Sequence, residues 1–204
     1  TSYFTELNGN IEIDILNAME FDASCLGNHE FDNGMDELAR RLGNLNVPVV
    51  CANYSFKGSP LDGLVKPYVI LEKAGKKIGI IGLLTDVTSV VDKDIAAQLS
   101  YRNPAEAANE YAKILKVDQR CDLVICLTHL GFDGEPYVDT ELAAQTRNVD
   151  VIVGGHSHTM LKDLHNVYNL DGEPVTIVTD WKWGLNIGNL KVNFTPQRLY
   201  GKYL

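Results

Sequence analysis

The sequence predicts a layered α/β fold, and two observations carry the expectation. Helical and strand-like runs alternate along the chain, the pattern of helices packed over a sheet. The 204 residues are 45% hydrophobic and 22% charged, enough for one domain with a substantial core. Residues 1–204 read as a single domain, without repeats, low-complexity segments or an internal boundary.

The elements follow in order. Ile11, Ile15, Leu16 and Met19 recur at helical spacing and predict an amphipathic helix. Asp22 to Leu26 reads as a strand ending at Gly27. Met35, Leu38, Leu42 and Leu45 mark a second helix, and Val47 to Ala52 a second strand. Tyr68 to Glu72 and Ile78 to Leu84 flank Ala74-Gly75-Lys76 as the arms of a hairpin. Asn103 is a good N-cap, Pro104 suits the first helical position, and Glu106 completes a capping-box-like pattern. Ala108, Tyr111, Ala112 and Leu115 give that helix its buried stripe. Beyond it lie a strand from Leu123 to Leu127, a short helix around Glu141 to Gln145, and a strand from Val149 to Val153. Thr159 to Pro174 reads as loop; Val175 to Val178 and Ile187 to Val192 read as closing strands.

The charge of −9, from 18 basic and 27 acidic side chains, disfavours broad binding to nucleic acid, because an acidic surface repels phosphate backbones. An anionic substrate would need bound cations to attract it. Cys25, Cys51, Cys121 and Cys126 each lie in or beside an apolar run without a Cys-x-x-Cys pair, which favours buried free thiols. No stretch is long and apolar enough to span a membrane.

The histidines carry the chemistry. Four of the five stand just beyond a predicted strand: His29 in Gly27-Asn28-His29-Glu30-Phe31-Asp32, His129 in Thr128-His129-Leu130-Gly131, and His156 and His158 in Gly154-Gly155-His156-Ser157-His158. In open α/β sheets the carboxyl ends of the strands form the ligand crevice. Three strand ends would therefore deliver imidazole to one place, and neutral imidazole is the commonest metal ligand. Nitrogen and oxygen donors without thiolate suit manganese, zinc, iron or cobalt. Taken singly, each histidine has a bland reading as a capped or satisfied turn residue. Taken together, they point to a metal site.

These three motifs resemble, in order, the later motifs of the calcineurin-like metallophosphoesterases. The Phe31-Asp32-Asn33-Gly34 continuation and Cys51-Ala52-Asn53 look like the 5'-nucleotidase branch. The resemblance covers nearly the whole chain and implies a four-layer αββα sandwich with two divalent metal ions, zinc, manganese or similar, at the strand ends. By motif position, Asn28, His129 and His156 would hold one metal and His158 would help hold the other. His29, steadied by Asp32, would be the non-ligand histidine that meets the phosphate. A carboxylate three residues away would favour the imidazolium and fix its orientation, and an imidazolium stabilises a developing oxyanion. The rival reading of Asp32 is a turn cap before Met35.

The family's two earliest motifs are missing. No Gly-Asp dipeptide occurs, and the one Asp-x-His, Asp163-Leu164-His165, follows the last motif and reads as loop polarity. Thr1-Ser2-Tyr3-Phe4-Thr5 resembles the stretch just after the absent Gly-Asp. The expectation is a domain incomplete at its N-terminus, with exposed apolar surface, partial metal occupancy and weak or no activity alone. The same expectation extends to a missing C-terminal substrate-binding domain of the kind found in bacterial 5'-nucleotidases. The implied activity is hydrolysis of a small phosphate ester, most naturally a nucleotide; the alternative is a non-catalytic metal- or ligand-binding module. A nuclease is disfavoured by the charge. Export to the periplasm or cell surface is suggested by the resemblance only.

Overall fold

The computed structural model describes residues 9–88, 91–134 and 137–194; the Thr1–Thr5 stretch lies outside them. In chain order the elements are helix α1 (Asn10–Met19), β1 (Ser24–Cys25), a 3-10 turn (Asn28–Phe31), α2 (Met35–Leu42), β2 (Val49–Val50), β3 (Tyr54–Ser55) and β4 (Val65–Lys66). Next come β5 (Tyr68–Lys73), β6 (Lys76–Leu84), α3 (Lys93–Ala96), β7 (Ser100–Tyr101) and α4 (Pro104–Lys113), which runs into a π turn (Ile114–Asp118). The remainder is β8 (Leu123–His129), α5 (Asp139–Gln145), β9 (Val151–Val153), β10 (His165–Tyr168) and β11 (Pro174–Val178).

Two sheets form the middle of the molecule. The larger has the order β10-β11-β9-β8-β6-β5, parallel from β11 to β6 with antiparallel strands at both edges. The smaller is the parallel set β1-β2-β4. Alternation along β6 divides its side chains between two faces. Gly79, Ile81 and Leu83 face the helix side, where Ile81 and Leu83 join Ala105, Ala108, Ala112 and Leu115 in one buried cluster. Gly82 and Leu84 face the small sheet, and Leu84 joins Leu26, Phe31, Leu38 and Val49 in a second cluster. Helices α4 and α5 thus cover the large sheet while α2 covers the small one, giving a helix–sheet–sheet–helix sandwich.

Local signals account for much of this. Asn103 Oδ1 accepts hydrogen bonds from Ala105 N at 2.8 Å and Glu106 N at 3.2 Å, with Pro104 in the first turn. The β5–β6 hairpin pairs Tyr68 to Lys73 with Ile81 to Lys76 around Ala74-Gly75. Three of the four free thiols are buried and pack as small hydrophobes; Cys25 is half-buried.

Three expectations change. The face of α1 carrying Ile11, Ile15 and Met19 is exposed, and Ile13 and Leu16 turn toward β1 and α2 instead. Residues 187–192 form no strand: extended backbone needs a hydrogen-bonding neighbour, none of the described strands pairs with this segment, and Ile187 is 90% exposed. The segment from Thr159 to Pro174 is not all loop, because His165–Tyr168 pairs antiparallel with β11. Its strand was masked by a polar, exposed face at a sheet edge. A groove of about 720 Å³ lies beside these segments, with Val153, Met160, Leu164, Val178, Ile187 and Leu190 among its lining residues.

Asn53 ties the sandwich together. Fully buried, it donates from Nδ2 to Leu84 O at 2.7 Å and accepts from Leu84 N at 2.9 Å, joining the end of β2 to the end of β6. Asn53→Ala leaves both backbone groups of Leu84 without these partners and is expected to cost about 1–3 kcal/mol. Urea denaturation tests this; an unchanged midpoint and slope would refute it.

Candidate active site

The Gly27–Asp32 segment leaves β1 as a single 3-10 turn. The Glu30 carboxylate reaches back to accept from Gly27 N at 2.9 Å, which holds the turn closed. Burial raises the pKa of Glu30 above the ordinary carboxylate range. The turn sets Asn28 toward the large sheet and His29 toward solvent. His29 Nδ1 lies 2.9 Å from Asp32 Oδ2 on an open surface, the two side chains being 80% and 50% exposed.

From the other sheet, His129 ends β8 and brings Nε2 to 2.8 Å from Asn28 Oδ1. The rings of His129 and His156 lie 4.9 Å apart, centroid to centroid. His156 follows the end of β9 through Gly154-Gly155 and takes a left-handed φ of 77°, and His158 does the same at 54°. Such backbone is uncommon in residues with a side chain and clusters at functional loops. Asn28, His129 and His156 thus come together. His158 stands exposed two residues further on, near enough for its charge to act on His129. In the Asp163-Leu164-His165 segment, His165 opens β10 with its ring edge-on to Phe132 at 5.1 Å.

Burial, reinforced by the neighbouring His156, His29 and His158, lowers the pKa of His129 to about 4. Near neutrality its ring is uncharged, the state that binds metals. Asn28 Oδ1 and His129 Nε2 also have the spacing of adjacent ligands, since bonds of about 2.1 Å set donors about 3 Å apart. The donor set therefore fits one divalent ion. It is sparse in charge: among the described residues no three His, Cys, Asp or Glu side chains gather as a metal cage. The set consists of two imidazoles and an amide.

One residue of this region was missed in the sequence. Asp139 is fully buried beneath the loops, where Thr128 Oγ1 donates to its Oδ1 at 2.6 Å, and burial raises its pKa to about 7. An aspartate at the start of a helix reads as ordinary complement to the helix dipole, so nothing local singled it out.

A two-sheet sandwich with an amide and two imidazoles at its strand ends has the character of a metallophosphoesterase, and the comparisons agree. The family described as calcineurin-like phosphoesterase matches residues 6–160. The chain belongs to that family. It is 34% identical to a probable 5'-nucleotidase of Treponema pallidum over 95% of this chain and 34% of the relative, and 33% identical to the 5'-nucleotidase of Bos taurus over 95% and 36%. The crystal structure of a 5'-nucleotidase precursor from Thermus thermophilus superposes with a TM-score of 0.83 at 33% identity, covering 90% of this chain and 38% of that one. The chain spans about a third of the length of these relatives. Among the described residues no helix is long and apolar enough to cross a membrane.

Proposed function

We propose that this chain is the catalytic portion of a divalent-metal-dependent 5'-nucleotidase, hydrolysing phosphomonoesters of nucleotides. The observation that carries the reading is the meeting of Asn28, His129 and His156 from both sheets beside the His29–Asp32 pair. In this reading Asn28 Oδ1 and His129 Nε2 hold one ion together with His156, and His158 contributes to a second. Bound divalent ions supply positive charge for the phosphoryl oxygens and a hydroxide near neutral pH. His29, outside the ligand set, faces solvent where a phosphate ester arrives; its imidazolium stabilises the developing charge or protonates the leaving oxygen. Asp32 orients that ring through Nδ1. Relatives named 5'-nucleotidase and NAD 5'-nucleotidase support a nucleotide substrate, whose leaving group is the nucleoside. Export belongs to the same reading, since relatives include venom enzymes and a protein titled a precursor.

The test is calorimetric titration of Mn²⁺ or Zn²⁺ into the chain and into His129→Ala, followed by assay on AMP and an aryl phosphate. The expected result is binding weakened at least about tenfold in the variant, given how sensitive metal affinity is even to outer partners. Equal binding by both proteins overturns the ligand assignment. Tight binding without turnover of either ester favours the non-catalytic module.

A further inference from the structure

Asp139 has no role in the mechanism above, yet it touches the segments that carry two of its proposed ligands. It opens α5 with its side chain turned inward, and the helix takes no side-chain cap from Val138 before it. Its backbone N donates to Gly131 O at 2.8 Å, just past the end of β8. Its Oδ1 accepts from Thr128, the residue before His129. Its Oδ2 is buried without a hydrogen-bond partner and presses on Gly154, two residues before His156, where an added Cβ would collide with it. A buried carboxyl oxygen without a partner costs free energy. Neither capping nor ion pairing explains its presence, whereas its contacts lead to both histidine-bearing strand ends.

We propose that Asp139 is the positioning residue of the site: wedged between Thr128 and Gly154, it holds the ends of β8 and β9 at the separation where the rings of His129 and His156 meet. The consequence for metal binding rests on the ligand reading above, but the ring contact does not.

The first measurement therefore uses the metal-free chain. Proton NMR should show a ring-to-ring cross-peak between His129 and His156 in the wild type and in Asp139→Asn, which keeps the shape and an oxygen for Thr128. Asp139→Ala should lose the cross-peak while the methyl signals of Leu115 and Ile81, in the helix-side core, stay in place. Thr128→Val, nearly isosteric, should weaken it and serves if Asp139→Ala fails to fold. The second measurement is Mn²⁺ titration, where Asp139→Ala should bind about ten- to a hundredfold more weakly and Asp139→Asn close to wild type. A cross-peak of wild-type intensity in the folded Asp139→Ala or in Thr128→Val overturns the proposal. So does collapse of the core methyl signals together with the cross-peak in Thr128→Val, which would make the role one of general packing. Unchanged Mn²⁺ binding in His129→Ala refutes the ligand reading instead, and the ring contact then decides on Asp139 alone.

Discussion

His29→Ala is expected to lower kcat for AMP hydrolysis by roughly two to four orders of magnitude in a catalytically competent form of the protein, the span that a positioned general acid contributes. The ring pairs with Asp32 on the exposed surface and is not one of the proposed ligands, so its removal should spare them. Metal affinity should hold and KM should shift little, because the interaction lost belongs to the transition state. Asp32→Asn should do much less. Both side chains of the pair are largely in water, where such contacts are screened and worth little; a loss under about tenfold is expected. Steady-state kinetics at saturating metal check both variants. An unchanged kcat in His29→Ala removes the histidine from the reaction.

Gly82→Ala is expected to produce the largest loss of stability. Gly82 sits where β6 passes closest to the small sheet, and Ala52 N donates to its carbonyl at 2.8 Å. A methyl group there would fall on the carbonyl of Val50, which is backbone and cannot rotate away. The sheets would have to part, at a cost of about 3 kcal/mol or more, set against a total stability of about 5–15 kcal/mol for an ordinary domain. Gly79→Ala is the control. The nearest atoms to its added methyl belong to the Leu115 side chain, which can shift as backbone cannot. Urea midpoints should fall sharply for Gly82→Ala and less for Gly79→Ala; equal losses would show that sheet separation is not the cause. Asn28 comes from the small-sheet side and His129 from the large sheet, so Gly82→Ala should also weaken metal binding in whatever remains folded.

What the sequence determined by itself was local. The start of α4 is written in Asn103 and Pro104, because a cap is made by neighbours along the chain. The β5–β6 hairpin follows from its turn, and β8 and β9 from apolar runs that only a covered sheet accommodates. The candidate site residues were legible for a similar reason: glycine and histidine stand directly beyond those strands. Tertiary structure decided the rest. Asn28 and His129 are 101 residues apart and meet only because the two sheets pack. Residues 187–192 offer the apolar side chains Ile187, Leu190 and Val192, yet a strand requires a pairing neighbour, while the edge strand β10 hides behind exposed polar side chains. The demand for glycine at 82 and the burial of Asp139 come from chains crossing in space. Periodicity and capping report what a segment offers; burial and close approach depend on what the fold sets against it.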